Sequence, residues 1–159
     1  MHQIHTTYQL LSTYTKLQPA SEGLPKMSAS LVTGGSGFIG LHVVKTLLER
    51  GHAVHATVRS LTNKAKCRAL LDLQATFPGK LELFEADLLC EGSFTDAMRG
   101  CGIVYHVASP FYVPQQSIKD GVKEIVEPAI KGTENVLRSV EATPEVRRVV
   151  LTSSSEFPS

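Results

Sequence analysis

The chain has 159 residues, a formal net charge of +1 at neutral pH and a hydrophobic content of 42%. This length suffices for one domain with a buried core. Basic and acidic residues are interspersed, so the charge gives no indication of a nucleic-acid partner or a membrane surface. The three cysteines lack metal-ligand spacing, and we expect structural, unpaired thiols of the kind found in a reducing compartment.

Residues 1–26 are expected to form a disordered or poorly ordered extension outside the fold. They are polar and irregular, rich in Ser and Thr, and offer few candidates for a core. The chain start lacks the charged residues and apolar centre of a signal peptide. No apolar run approaches the roughly 20 residues of a membrane helix. We therefore expect a cytoplasmic protein; a transit peptide is the alternative, although the extension contains no arginine.

The first strand is predicted at residues 30–33, and a glycine-rich turn joins it to an amphipathic helix at residues 38–50. Gly34 suits a tight bend, Gly37 a close approach of the backbone to a pyrophosphate, and Gly40 the packing of helix on strand. The helix N-terminus favours anions through its dipole and its unpaired N–H groups. A structural glycine turn is the alternative. We predict a dinucleotide-phosphate site from Gly34, Ser36, Gly37, Phe38, Ile39 and Gly40.

Strand-like and helix-like segments then alternate, which is typical of β-α-β units in a parallel sheet. Further strands are predicted at residues 53–58, 80–85, 103–107 and 148–153, and further helices at about 64–75, 93–99 and 119–141. The second and fifth strands are apolar enough for burial on both faces. Ser93 and Asp96 are expected to cap the third helix. Pro128 predicts a kink in the long helix or a helix that begins at Glu127.

These elements indicate an α/β fold with a Rossmann-like, doubly wound parallel sheet of about five strands, occupying residues 27–159. Ligands of such sheets bind at the carboxyl ends of the strands. Arg59 directly follows the second predicted strand, about 20 residues after the glycines, where NAD-selective sites place an acid. Its guanidinium can bind a 2′-phosphate through two hydrogen bonds, which favours NADPH. Lys66 would add a second positive charge; a solvated surface cation is the alternative for each.

Other candidates follow the next strands. Asp87 and Leu88 are placed to border an adenine, with the carboxylate accepting from its amino group; a capping or turn role is the alternative for Asp87. Small side chains that would let the cofactor pass close to the sheet follow the fourth strand: Val107, Ala108 and Ser109. His55 and His106 are expected to be hydrogen-bonded strand histidines without a catalytic role. Hydroxyls at the end of the fifth strand are suited to polarising a substrate carbonyl, although a serine-rich loop is the alternative.

Together these motifs resemble the extended short-chain dehydrogenases/reductases of the NAD-dependent epimerase/dehydratase superfamily, in particular the dihydroflavonol reductase and cinnamoyl-CoA reductase branch. The resemblance is carried by residues 32–40, 56–59, 86–88, 106–110, 127–133 and 148–154. It implies an NADPH-dependent reductase of ketones or aldehydes. It further implies that Arg59 and Lys66 bind the 2′-phosphate, that Asp87 and Leu88 border the adenine, and that Ser154 is the catalytic serine.

The resemblance also implies a proton-donating tyrosine four residues before a lysine, and the sequence has no such pair. Its tyrosines are Tyr8, Tyr14, Tyr105 and Tyr112. We therefore expect a fragment: the cofactor-binding portion of a reductase, without its substrate region, weakly active or inactive, with an exposed apolar edge at residues 149–151. A small carbonyl substrate would bind only to a full-length form.

Three alternatives remain open at this point. The chain could be a relative of NAD-dependent epimerases or dehydratases, a relative of hydroxysteroid dehydrogenases, or a non-catalytic nucleotide-binding fragment. A homo-oligomer is also open, because full-length relatives often pair through helices that include the long one.

Overall fold

The computed structural model describes residues 28–110 and 120–153, which form one parallel sheet with helices on both faces. The strands are β1 (Ala29–Thr33), β2 (Val54–Val58), β3 (Leu81–Glu85), β4 (Cys101–His106) and β5 (Arg148–Leu151). The helices are α1 (Phe38–Glu49), α2 (Lys64–Thr76), α3 (Thr95–Met98) and α4 (Glu127–Glu141), the last preceded by a π-helical segment at Val122–Val126. The predicted extension at residues 1–26 lies outside the described residues.

The sheet has five strands in the order β3-β2-β1-β4-β5. All four strand pairs are parallel. The chain therefore moves outward from β1 in one direction and then from β4 in the other, which is the strand order of a Rossmann-like, doubly wound sheet. The predicted fold class is confirmed. The point where the order reverses lies between the carboxyl ends of β1 and β4, and it is where ligands bind in folds of this kind.

Two apolar cores lie on opposite faces of the sheet, because side chains alternate along each strand. Leu31 belongs to one core and its neighbour Val32 to the other. The first core packs α1 and α2 against β1 and β2. The second packs α3 and α4 against β1 and β4, with Phe94 and Met98 almost completely buried. Along the described residues, no helix combines the length and the apolar character needed to cross a membrane.

The long helical segment changes its hydrogen-bond pattern before Pro128, as that proline predicted. Asp120 Oδ1 accepts from the N–H groups of Val122 and Lys123, at 3.2 Å each. The N–H of Glu127 donates to the carbonyl of Val122, five residues earlier, and the α-helix proper begins at Glu127. Because Pro128 has no N–H group, it removes one bond of a continuous α-helix.

Two local predictions are wrong. Ser93 does not cap α3: its hydroxyl donates to the Asp87 carbonyl (2.8 Å) and accepts from the Asp87 N–H (3.2 Å). The capping position of α3 belongs to Phe94, without a side-chain bond, while Asp96 lies within the helix and pairs with Arg99.

The fifth strand is not buried on both faces: among the residues of β5 only Val149 packs against a core, and the strand also forms an edge of the described sheet. Val149 is half-buried, while Val150 and Leu151 are exposed. Apolar composition predicts the strand but does not reveal how many neighbours it has. The expectation of an exposed apolar edge is confirmed at Val150 and Leu151.

Candidate cofactor site

The glycine turn between β1 and α1 is folded tightly against two neighbours. Gly34 has a φ of +69°, and a Cβ atom there would lie 3.0 Å from the Cα of Ala108. At Gly40 a Cβ would collide with the carbonyl oxygen of Gly34. Side chains at these two positions would push the turn away from the loop after β4 and from its own helix. The glycines thus hold the turn at the point where the strand order reverses.

The N-terminus of α1 is open to solvent. Ser36, Gly37, Phe38 and Ile39 are all exposed. Gly37 occupies the capping position and has no side chain to occupy the first N–H groups of the helix, which also lack partners within the helix. The first turn contains no acidic residue. The positive end of the helix dipole is therefore available to an anion such as a pyrophosphate.

A buried hydroxyl connects this turn to the loop after β4. Thr33 Oγ1 accepts from the N–H groups of Val107 (3.1 Å) and Ala108 (3.0 Å). It also lies 2.9 Å from Nδ1 of His106, which is buried on the neighbouring strand. Both lone pairs of the oxygen are occupied, so its hydrogen points to His106 and Nδ1 of that ring is the acceptor. His106 is consequently neutral here, with its proton on Nε2.

Burial lowers the pKa of His106 from 6.5 to about 4, because a charged imidazolium would lose its hydration. The ring therefore remains a neutral acceptor across the physiological pH range, and the Thr33 hydroxyl keeps its orientation. His106 has the role of a hydrogen-bonded strand histidine, as expected. The β5 end is joined to the same point, since the Thr152 N–H donates to the His106 carbonyl at 3.0 Å.

Thr57 on β2 supports the other side of the glycine turn. The N–H of Gly35 donates to its carbonyl at 2.9 Å, and the N–H of Gly34 approaches its hydroxyl oxygen at 3.4 Å. Thr57 and Thr33 are both buried, and neither was predicted from the sequence to be a site residue. A threonine near the carboxyl end of an apolar strand could have indicated both residues, because a buried hydroxyl requires a hydrogen-bond partner.

Arg59 and Asp87 face each other at the carboxyl ends of β2 and β3. Arg59 Nε lies 3.9 Å from Asp87 Oδ2, and both side chains are substantially exposed. The other carboxylate oxygen of Asp87 accepts from the Leu89 N–H at 2.8 Å, so the alternative turn role is present as well. This arrangement leaves the Arg59 guanidinium accessible to an anion, although Asp87 partly neutralises its charge.

The remaining predicted site residues lie around these two groups. Leu88 is held against α4, because its carbonyl accepts from Asn135 Nδ2 at 2.8 Å. Lys66 is exposed in the first turn of α2, where its N–H donates to the Asn63 side chain at 3.2 Å. Ser109 is exposed after β4. Ser154 lies outside the described residues.

A second histidine cluster lies away from the strand ends that carry the glycine turn. His55 Nδ1 donates to the Ala97 carbonyl at 2.8 Å, and the Cys101 thiol lies 3.3 Å from the same nitrogen. Burial, and secondarily the charge of Glu82, raises the pKa of Cys101 to about 12. A protonated, buried thiol is a poor nucleophile. His55 is thus a hydrogen-bonded strand histidine, and all three cysteines are free.

Comparison with known protein families matches residues 30–159 to the NAD dependent epimerase/dehydratase family. The chain belongs to this family. The family description names a dinucleotide cofactor, which accords with a glycine turn opening onto a bare helix N-terminus at the reversal point of the sheet.

Among curated proteins, this family member is 46% identical to a cinnamoyl-CoA reductase of Medicago truncatula, over 77% of the chain and 36% of the relative. It is 43% identical to a dihydroflavonol 4-reductase of Solanum lycopersicum, over 82% of the chain and 34% of the relative. The chain thus spans about a third of the length of these relatives.

A solved structure of Gre2 from Candida albicans in complex with NADPH shares the fold. Its TM-score is 0.68 at 35% identity, and the match covers 79% of this chain and 37% of Gre2. Like the curated relatives, it is much longer than the segment matched.

Proposed function

We propose that residues 27–159 form the NADPH-binding portion of a carbonyl reductase that transfers hydride to a ketone or aldehyde. The observation that carries the choice of NADPH is the position of Arg59. Its side chain is 75% exposed, beside the carboxyl ends of β2 and β3. A guanidinium at this position is suited to a 2′-phosphate, whereas NAD-selective sites place an acid there for the ribose hydroxyl.

The described residues fit a dinucleotide in three respects. The turn has glycine at positions 34, 35 and 37, which lets its backbone approach a pyrophosphate closely, and α1 presents its positive end to that position. Thr33 holds the backbone of Val107 and Ala108 beside the turn. We propose Leu88, anchored by Asn135, as an apolar border for the adenine, with Lys66 as a second cation for the 2′-phosphate.

When bound, reduced nicotinamide would supply the hydride for the reaction. We propose that the Ser154 hydroxyl donates a hydrogen bond to the substrate carbonyl and stabilises the charge that develops on its oxygen. The relatives named reductases support the reaction class. Catalysis is proposed for the whole protein, since this chain spans about a third of its relatives and contains no Tyr-x-x-x-Lys pair.

The test is a fluorescence titration of the purified 159-residue chain with NADPH and NADH, alongside Arg59→Ala and Arg99→Ala. The control Arg99 is equally exposed, at 75%, and is also ion-paired. It precedes β4 and therefore lies near the amino-terminal ends of the strands, away from Arg59. We expect NADPH to bind more tightly than NADH. Arg59→Ala should weaken NADPH binding by about 10-fold or more and leave NADH binding unchanged, while Arg99→Ala should change neither.

Preferential binding of NADH would overturn the NADPH assignment. One observation favours that second candidate, because the Asp87 carboxylate lies within 3.9 Å of Arg59 and offsets part of its charge. Such a result would indicate a function closer to the NAD-dependent epimerases and dehydratases that the family description names.

A further inference from the structure

The loop between β2 and α2, which begins with Arg59, is held by a carboxylate from the next strand. The N–H of Leu61 donates to Glu85 Oε2 at 2.9 Å. Glu85 is the last residue of β3 and is paired in register with Val58, the last residue of β2. The Leu61 side chain packs against the first core. The loop is therefore fixed two residues after Arg59, by its backbone and by its side chain.

The same loop is held from α2. The Cys67 thiol approaches the Ser60 carbonyl at 3.5 Å, and the Asn63 side chain caps the helix by accepting from the Lys66 N–H. Each residue from Ser60 to Asn63 has a bond to a neighbouring group, since the Lys64 N–H also donates to the Thr62 carbonyl at 2.9 Å. In contrast, the Arg59 side chain is 75% exposed, with a 3.9 Å approach to Asp87. The backbone of the loop thus fixes the point from which this exposed side chain extends.

We propose that Glu85 is a positioning residue for cofactor selectivity, holding the loop so that Arg59 meets the 2′-phosphate of NADPH. This inference rests on the proposed function. A carboxylate near an anion site opposes the anion by charge, so attraction cannot be its contribution. The favourable contribution of Glu85 to NADPH binding is therefore its hydrogen bond to the Leu61 N–H, which holds the loop in place. NADH has no 2′-phosphate, and its affinity should not depend on where the loop places Arg59.

The experiment compares Glu85→Gln with Glu85→Leu in the 159-residue chain. Both variants remove the charge, but only glutamine retains a side-chain oxygen that accepts from the Leu61 N–H. NADPH and NADH affinities are measured by fluorescence titration, and amide exchange at Leu61 by NMR. Losing a bond worth about 1 kcal/mol corresponds to a roughly 5-fold change. Glu85→Leu should therefore lower the preference for NADPH over NADH by about 5-fold relative to Glu85→Gln, with faster exchange at Leu61.

Each outcome is decisive. Equal preferences in the two variants would overturn the role of Glu85, and so would a loss of NADH affinity in Glu85→Leu, since that would indicate general damage. Glu85 is exposed, so both variants should fold, and the NADH titration verifies this. If the native chain binds no NADPH, or if Arg59→Ala has no effect, the proposed function fails together with this inference. Selective NADPH binding that is equal in both Glu85 variants would refute only the inference.

Discussion

Acidification should destabilise this chain through His106 at pH values well above its folded pKa. The unfolded chain takes up a proton on this histidine near pH 6.5, whereas the buried ring resists protonation until about pH 4. Between these values the unfolded state binds more protons, so stability falls as pH is lowered through this window. The contribution is fully present above pH 6.5. It is lost progressively towards pH 4.

The expected loss follows from the two pKa values. A gap of about 2.5 between them, at about 1.4 kcal/mol per pH unit, amounts to about 3 kcal/mol over the full window. Roughly 1.5 kcal/mol of this would be lost between pH 6.5 and pH 5, because the unfolded histidine is only half protonated at pH 6.5. A protonated Nδ1 could no longer accept from the Thr33 hydroxyl, so the connection to Val107 and Ala108 should loosen in the same range.

The assay is urea unfolding at pH 7.5, 6.5, 5.5 and 5.0, with His106→Asn as the matched variant. Asparagine does not titrate, and its side-chain oxygen is placed to accept from Thr33 as Nδ1 does. We expect the variant to be less stable at pH 7.5, because a buried ring is lost, but to show a shallower fall towards pH 5. Carboxylates titrate equally in both proteins and cancel in the comparison. Identical slopes would refute the reasoning.

Three further predictions concern the site and the sheet edge. Gly34→Ala should cost about 1–2 kcal/mol in backbone strain, measured by urea unfolding. It should also weaken NADPH binding, because the new Cβ meets Ala108. A variant that binds NADPH normally would contradict the tight turn. Thr33→Val leaves the partly buried N–H groups of Val107 and Ala108 without their acceptor and should cost about 1–3 kcal/mol. Thr33→Ser should retain most of the stability, and equal losses in the two variants would exclude the hydroxyl as the cause. Val150→Lys should reduce aggregation in light scattering while changing stability by no more than about 0.5 kcal/mol. The control Val149→Lys should be clearly destabilising because its side chain packs against the second core; unchanged scattering in Val150→Lys would count against the exposed edge as an aggregation site.

Local patterns in the sequence predicted the elements well because each pattern reflects a local physical requirement. Alternation of apolar strands with amphipathic helices predicted the parallel sheet, and the spacing of the glycines predicted the turn. Pro128 predicted the start of α4, since a missing N–H acts within a few residues of the chain. Predictions that depended on which other residues pack nearby were less accurate. The burial expected on both faces of the fifth strand and the cap expected from Ser93 were both wrong.

The sequence by itself determined the α/β pattern, the glycine turn and the residues at the strand ends. Only the tertiary structure decided which of these residues meet. Thr33 contacts His106 across 73 positions of the chain, and Glu85 contacts Leu61 across 24. These contacts form because parallel strands bring residues distant in sequence together at the carboxyl ends of the sheet. The depression of the His106 pKa arises in the same way, since burial depends on what packs around the ring and not on its neighbours in sequence.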